Sequence, residues 1–309
     1  DFTFAEVFSL MMHYLSFHSQ KFESVHYLTQ PNTIERHTAW DIAHATSSDL
    51  RNWELHGLVI GRGPDDAWDG VCIATGSVTR FQDRYWMAYT GRWNEPQVAV
   101  GLAVSQDLFR WEKAPYNPIT TIDTRYYEAI GSGTRHMAHW RDPFLFHHDG
   151  FVYHFVCASR NNGPPEARGT VGLARSRDMV EWEILPPPEV EPVSQELECP
   201  QVRRIGDNYF LLFSAFPKIF APATRARYGG KLRQSSYVLV SDGAFGPFEF
   251  RQPEPLIPTT YPVQPYACQI VEFNGEHYLL GTVWNDLQDF ISDPIPLVVQ
   301  GDRLRITSV

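Results

Sequence analysis

The chain has 309 residues, of which 14% are aromatic and 20% charged, and it contains 21 glycines and 23 prolines. This composition indicates short strands joined by many turns, with a core large enough to need no disulfide or metal. The formal net charge of −10 and the lack of any apolar run near ~18–20 residues argue against nucleic-acid and membrane partners.

Two sequence units alternate along the chain. The first reads Ser-x-Asp-apolar-x-x-aromatic-Glu, with copies at residues 47–54, 105–112 and 176–183 and a degenerate copy at 241–249. The second is a strand, a tight turn and an aromatic-rich strand, with copies at residues 77–91, 143–159, 201–214 and 269–282. A divergent first copy of this second unit covers residues 7–19.

The spacing of the second unit predicts the fold class. The aromatic residue after each turn recurs at steps of 67, 56 and 69 residues, as Trp86, Tyr153, Tyr209 and Tyr278. Repetition at this length, with four strands in each repeat, predicts an all-β fold. We expect a five-bladed β-propeller with four-stranded antiparallel blades, in which residues 1–309 form a single catalytic domain. A β-solenoid is the alternative, but its rungs are much shorter.

Two acidic residues precede neighbouring copies of the second unit. Asp142 and Glu198 each lie eleven residues before the aromatic residue of their copy, Tyr153 or Tyr209. In a propeller the first strand of every blade lines the central channel, so the heads of these strands open on one face. The equal spacing therefore predicts that the two carboxylates meet at one pocket.

The same spacing assigns the corresponding positions of the other copies. It leads to Thr75 in the second copy and to Ala267 in the fifth. In the first copy, counting back from Tyr14 ends near Asp1, which we predict to be a third carboxylate of the pocket, and Glu6 is the alternative.

Two carboxylates at one pocket suit the hydrolysis of a glycosidic bond, in which one carboxyl group gives a proton and another stays ionised. Glu198 lies between the apolar Leu197 and Cys199, which favours a protonated acid. Asp142 follows Arg141, whose charge favours an ionised carboxylate that stabilises positive charge in the transition state.

Several segments together resemble glycoside hydrolase family 32, the group of invertases, levanases and inulinases. They are Arg141-Asp142-Pro143, Glu198-Cys199-Pro200, the segment from Trp40 to Ser47 with Trp53-Glu54, Trp68-Asp69-Gly70, and Tyr89-Thr90-Gly91. The resemblance extends to the wider furanosidase clan, which includes family 43 and shares the five-bladed propeller.

The resemblance implies that Asp142 is the transition-state stabiliser, Glu198 the general acid/base, and Arg141 a contact for substrate hydroxyls. The nucleophile signature of the family, Trp-x-Asn-Asp-Pro-Asn-Gly, is absent, so spacing alone makes Asp1 the nucleophile. We also expect no β-sandwich of the kind usual after the family 32 propeller, and a lone propeller is more typical of family 43.

We therefore predict a retaining β-fructofuranosidase-like glycosidase that needs no cofactor or metal and is able to transfer the sugar to an acceptor. The alternatives are an inverting family 43-like arabinofuranosidase or xylosidase and a catalytically silent carbohydrate-binding propeller. The expected partner is an oligosaccharide or small glycoside, and the chain is expected to be a monomer or a weak homo-oligomer. The predicted substrate-binding residues are Arg141, Trp40, Trp68, Asp69, Thr75, Ser77, Gln201 and Trp284.

Overall fold

The protein is an all-β propeller, which confirms the predicted fold class. The computed structural model describes residues 15–18, 23–29, 40–91, 97–133, 136–283 and 290–307. Within these ranges, helical structure is limited to one α-helix, α1 (Pro222–Tyr228), and two 3-10 turns, Pro165–Ala167 and Pro217–Ile219. None of the described helices is long and apolar enough to cross a membrane.

The described strands form five antiparallel sheets, each with a main path of four strands in chain order. The first sheet contains β1 (Leu15–His18), β2 (Glu23–Thr29), β3 (Asp41–Ser47) and β4 (Glu54–Ile60). The second contains β5 (Ile73–Phe81), β6 (Arg84–Gly91), β7 (Ala99–Ser105) and β8 (Glu112–Lys113), with β9 (Thr120–Thr121) paired to β7. The third contains β10 (Trp140–His148), β11 (Phe151–Ser159), β12 (Gly169–Ser176) and β13 (Glu183–Leu185).

The fourth and fifth sheets complete the described strands. The fourth contains β14 (Glu198–Ile205), β15 (Asn208–Ala215), β16 (Ser235–Ser241) and β17 (Glu249–Gln252). The fifth contains β18 (Tyr266–Phe273), β19 (Glu276–Val283), β21 (Ile295–Gln300) and β22 (Arg303–Ile306), with β20 (Phe290–Ile291) also paired to β19.

The Ser-x-Asp unit is the turn that joins the third and fourth strands of the first three sheets. In the second sheet, Ser105 Oγ accepts the N–H of Leu108 at 2.9 Å and Asp107 Oδ1 accepts the N–H of Arg110 at 2.8 Å. The apolar residue after each aspartate is buried and has a positive φ, 61° at Leu50, 70° at Leu108 and 67° at Met179. Side-chain acceptors of this kind satisfy turn N–H groups, so the repeat is structural.

The hairpins of the inner strands correct the predicted register by one residue. The closing pairs are His148↔Phe151 in the third sheet and Ile205↔Asn208 in the fourth. The turn of the fourth sheet is therefore Gly206-Asp207, one residue earlier than the alignment of Tyr153 with Tyr209 requires. As a result Tyr153 aligns with Phe210, because each lies two residues beyond the first residue of its second strand, and it does not align with Tyr209.

This correction changes which residues are equivalent at the strand heads. Arg141 aligns with Glu198, and Asp142 aligns with Cys199. Both strands have an irregularity at this point, between Arg141 and Phe144 and between Glu198 and Gln201. Asp142 and Cys199 have φ values of 61° and 51°. A bulge of this kind interrupts the alternation of side chains between the two faces of a strand. Consecutive residues at a strand head, such as Arg141 and Asp142, can therefore reach the same pocket.

The first sheet also differs from the prediction. Its first hairpin closes at His18↔Glu23, so the inner strand ends at His18, whereas the count from Tyr14 requires it to end before residue 14. The polar residues 19–21 interrupt the apolar pattern there, whereas residues 9–12 lack turn-forming types. Tyr14 is therefore not the aromatic residue after the turn, and the count from Tyr14 to Asp1 is not supported. Asp1 and Glu6 lie outside the described residues.

Apolar cores lie between neighbouring sheets. The largest joins the third and fourth sheets and includes Phe155 and Phe213. Another joins the first and fifth sheets through Leu50, Val271 and Leu280. Because each sheet packs against the next, burial of these faces fixes the strand heads relative to one another.

Candidate active site

Asp142 lies at the head of β10 and is held by donors from two neighbouring inner strands. The Thr75 hydroxyl donates to Asp142 Oδ1, and the Cys199 N–H donates to Asp142 Oδ2 at 3.0 Å. The Asp142 N–H donates to the Thr90 hydroxyl at 2.9 Å, and that hydroxyl donates to the Thr75 carbonyl at 2.9 Å. Donors to both carboxylate oxygens stabilise the negative charge of the side chain.

Glu198 lies at the head of β14, and its two carboxylate oxygens have different partners. The Tyr266 hydroxyl donates to Oε2, while Arg141 Nη2 lies 3.3 Å from Oε1. Burial, followed by the charge of Glu198, raises the pKa of Tyr266 well above its ordinary value. The phenol therefore remains a donor. Glu198 is 9% exposed and Asp142 is 6% exposed, so each has a small accessible edge.

Arg141 connects the carboxylates of the pocket. Its Nε lies 3.6 Å from Asp142 Oδ2, and its Nη2 lies 2.6 Å from Glu196 Oε2 and 3.3 Å from Glu198 Oε1. The side chain is almost fully buried, yet Nη1 has no hydrogen-bond partner among the described residues. An arginine is always charged and has five N–H donors, so Nη1 is a buried donor that the described residues leave unused.

The structure brings Thr75, Arg141, Asp142 and Glu198 together at the heads of the inner strands. Ser77 and Gln201 lie further along the inner strands. The Leu145 N–H donates to Ser77 Oγ at 2.7 Å, and Gln201 accepts the N–H of Ile270 at 2.7 Å. Both side chains therefore bind the main chain of the next inner strand.

The predicted aromatic contacts lie in different surroundings. Trp40 is buried in the core between the first and second sheets. Trp68 packs over Gly91 and Gly101, where an added Cβ would meet its ring at 2.2 and 2.5 Å. Asp69 accepts from Tyr89 Oη at 3.0 Å and from Lys113 Nζ at 2.5 Å within the second sheet. Trp284 lies outside the described residues.

Tyr266, Glu196 and His139 are site residues that the sequence prediction missed. Tyr266 aligns with Arg141 and Glu198, because the β18 irregularity falls between Tyr266 and Gln269, so a correct register would have identified it. Glu196 lies two residues before Glu198, a spacing that places both on one face of an extended chain. Among the described residues, no group of three His, Cys, Asp or Glu side chains is arranged to hold a metal ion.

Comparisons with known proteins identify the family of the chain. Residues 15–277 match the model of the glycosyl hydrolases family 32 N-terminal domain. Sucrose-6-phosphate hydrolase of Bacillus subtilis (strain 168) is 28% identical over 148 residues, which are 47% of this chain and 27% of that protein. The chain thus spans about a quarter of the length of this curated relative.

Two solved structures show the same fold. Inulosucrase from Halalkalicoccus jeotgali bound to kestose has a TM-score of 0.74 at 23% identity, over 99% of this chain and 88% of that chain. The GH32 β-fructofuranosidase BmSUC1 of Bombyx mori has a TM-score of 0.70 at 19% identity, over 99% of this chain and 65% of that chain. Because the family model spans most of the sequence, the predicted resemblance is confirmed, and the chain belongs to glycosyl hydrolases family 32 through its N-terminal domain.

Proposed function

We propose that the chain is a glycoside hydrolase that cleaves terminal β-fructofuranosides. The observation that carries the proposal is the grouping of Asp142 and Glu198 around the buried Arg141, with contacts of 3.6 and 3.3 Å. Family membership supports the reaction class, and the inulosucrase bound to kestose supports a fructoside substrate.

Glu198 is the proposed general acid/base. Its partly exposed carboxyl group gives a proton to the leaving-group oxygen as the bond from that oxygen to the anomeric carbon breaks. The resulting carboxylate then removes a proton from the water, or from the sugar acceptor, that attacks the intermediate. The Tyr266 hydroxyl and Arg141 Nη2 hold the two oxygens of Glu198 in a fixed orientation during both steps.

Asp142 is the proposed transition-state stabiliser. The donors from Thr75 and Cys199 occupy both of its oxygens and hold the carboxylate in one orientation. A fixed negative charge next to the sugar ring stabilises the oxocarbenium-like transition state. Arg141, which lies against both Asp142 and Glu198, is the proposed contact for a sugar hydroxyl.

The nucleophile of a retaining reaction is proposed to be Asp1, with Glu6 as the alternative. These are the two carboxylates among residues 1–14, and both lie outside the described residues. The attacking carboxylate oxygen would form a bond to the anomeric carbon while Glu198 protonates the departing oxygen. Water would then break that bond and restore both carboxyl groups.

We also propose that the five sheets are five blades of one propeller. The contact of β18 with β1 and the apolar cluster shared by the first and fifth sheets support a closed ring. In this arrangement, residues 1–309 belong to a single domain that presents the heads of the inner strands on one face.

A fructoside-binding propeller without hydrolysis is the second candidate. In each of the second to fifth sheets, we count six residues back from the last residue of the inner strand. The residues reached are Thr75, Asp142, Cys199 and Ala267, in that order. In the first sheet, the same count from His18 gives Met12, which lies outside the described residues. Methionine has no carboxyl group. This count favours the absence of an ordinary nucleophile.

An assay of hydrolysis, monitored by proton NMR, separates these candidates. Its substrates are sucrose, kestose, inulin, aryl furanosides and aryl xylosides. A retained product anomer from a fructoside supports the proposal, and inversion supports the family 43-like alternative. Binding without turnover supports the second candidate. Glu198→Gln should nearly abolish turnover while leaving the fold intact. Glu183→Gln is the control, because Glu183 forms an exposed ion pair with Arg175, and its turnover should equal that of the wild type. Full activity of Glu198→Gln would refute the assignment.

A further inference from the structure

We propose that Glu196 is a positioning residue that keeps Glu198 protonated to a higher pH by sharing Arg141 with it. This inference rests on the proposed role of Glu198 as the acid/base. Glu196 does not reach the sugar in this assignment, since its side chain is fully buried.

The geometry gives Glu196 the stronger contact with the shared cation. Arg141 Nη2 lies 2.6 Å from Glu196 Oε2 and 3.3 Å from Glu198 Oε1. A charge-assisted hydrogen bond is strongest near 2.7–2.9 Å, so the charge of Nη2 is offset chiefly by Glu196. Less of that charge is left to stabilise the anion of Glu198.

Three further contacts restrict the position of Glu196. His139 Nε2 lies 3.5 Å from Glu196 Oε2, and His139 Nδ1 lies 2.7 Å from Ser159 Oγ. The Ser194 hydroxyl donates to the main-chain carbonyl of Glu196 at 2.6 Å. The intervening Leu197 is buried in the core between the third and fourth sheets. The carboxylate of Glu196 therefore has one position, against Arg141.

The other charged or titratable groups around Glu198 do not replace this effect. Tyr266 remains a neutral donor, and burial raises the pKa values of the Cys157 and Cys199 thiols well above the ordinary value, so both remain neutral. Asp142 carries a second negative charge, 3.6 Å from Arg141 Nε. The local balance is thus one guanidinium against several carboxylates, and removal of the Glu196 charge would favour ionised Glu198.

The test is the pH dependence of kcat/KM on a cleaved fructoside for the wild type, Glu196→Gln, Glu196→Asp and a control. A general acid must be protonated, so activity falls on the basic side as Glu198 ionises. We expect Glu196→Gln to move this basic limb down by about one pH unit, since an opposite charge within a few ångströms lowers a carboxyl pKa by about 1–3 units. Glu196→Asp, which retains a shorter charged side chain, should shift it by less.

Glu128→Gln is the matched control, because Glu128 also pairs with an arginine, Arg168, at 2.6 Å. Its basic limb should coincide with that of the wild type. A basic limb of Glu196→Gln that stays in place while kcat falls would overturn the proposal, because a structural role alone gives that result. Where Glu196→Gln does not fold, an unshifted limb of Glu196→Asp overturns it equally.

Carbon-13 NMR of protein labelled at the glutamate carboxyl carbons gives a readout that needs no turnover. Glu198→Gln identifies the Glu198 signal, and its titration midpoint should be lower in Glu196→Gln than in the wild type. If the wild type cleaves no fructoside but the midpoint moves as expected, the proposed function fails and the role of Glu196 stands. An unmoved midpoint in an active enzyme refutes the role of Glu196 alone.

Discussion

Replacement of Tyr266 by phenylalanine removes the hydroxyl that donates to Glu198 and keeps the aromatic ring. The ring of Tyr266 packs against Phe216, with ring centroids 5.0 Å apart, and against Cys199 and Ala267. Phenylalanine keeps these contacts, so the fold should be retained. The hydroxyl that donates to Glu198 Oε2 is lost.

The size and sign of the effect follow from that hydrogen bond. A hydrogen bond to a charged group contributes about 1.5–3 kcal/mol, and about 1.4 kcal/mol corresponds to one pH unit. The phenol stabilises the carboxylate form of Glu198, because burial raises the pKa of Tyr266 and keeps it a donor. Tyr266→Phe should therefore favour protonated Glu198 and move the basic limb of kcat/KM up by about 1–2 pH units.

The assay is kcat/KM against pH with a cleaved fructoside, together with a thermal unfolding curve. Tyr237→Phe is the control, because Tyr237 is a buried phenol that donates to the Arg233 carbonyl at 2.6 Å within the fourth sheet. It should lower stability without moving the pH profile. A basic limb of Tyr266→Phe that stays in place or moves down would refute the reasoning, since Glu196→Gln is the variant expected to move it down.

Three further predictions concern the stabiliser, the core and a buried imidazole. Thr75→Val keeps the side-chain volume but removes a donor to Asp142, so kcat/KM should fall about tenfold or more in steady-state assays. Gly101→Ala places a Cβ 2.5 Å from the Trp68 ring and should lower the free energy of unfolding by about 1–3 kcal/mol in urea titrations. Burial lowers the pKa of His154 to about 3. Between pH 7 and pH 5 the unfolded chain, in which a histidine has a pKa near 6.5, gains a proton at this residue and the folded chain does not. The free energy of unfolding of the wild type should therefore fall by about 2 kcal/mol relative to that of His154→Gln over this range.

The controls for these predictions use residues of the same type elsewhere. Thr121→Val removes a hydroxyl that donates to the Val98 carbonyl at 3.3 Å and should leave kcat/KM unchanged. Gly230→Ala adds a Cβ that meets no atom within 4 Å and should have little effect on unfolding. Equal losses in the test and control variants would contradict the contacts assigned to Thr75 and Gly101. Parallel pH–stability curves for the wild type and His154→Gln would contradict a neutral buried imidazole.

The repeat was predictable from the sequence because its turns carry their own signal. Ser105 and Asp107 satisfy the turn with side-chain acceptors, and the same residue types recur in two other sheets. The alignment of the inner strands was less certain because Tyr209 and Phe210 are adjacent aromatic residues. A choice between them is a choice of register, and a one-residue slip moves every side chain to the other face of a strand.

The contacts of Glu196 could not be predicted in the same way. Its partner Arg141 is 55 residues away in the sequence and belongs to another sheet. The contact depends on the irregularity after Arg141 and on packing of Leu197 between the sheets. Local sequence patterns contain no signal for the strand irregularity or for the packing between sheets. From the sequence alone, Glu196 therefore cannot be distinguished from an exposed glutamate.

The corrected register explains how a repeated strand builds a site with distinct chemical roles. The equivalent head positions are Ala74, Arg141, Glu198 and Tyr266, where the irregularities of β5, β10, β14 and β18 begin. One position of the repeat thus supplies a cation, a carboxylate and a phenol donor, and the Glu198 carboxylate contacts the other two. The next position supplies the Thr75 hydroxyl, the Asp142 carboxylate and the Cys199 N–H, and the Asp142 carboxylate contacts the other two. The acid/base and the stabiliser therefore belong to two adjacent layers of the pocket, and Arg141 is the residue that couples the layers.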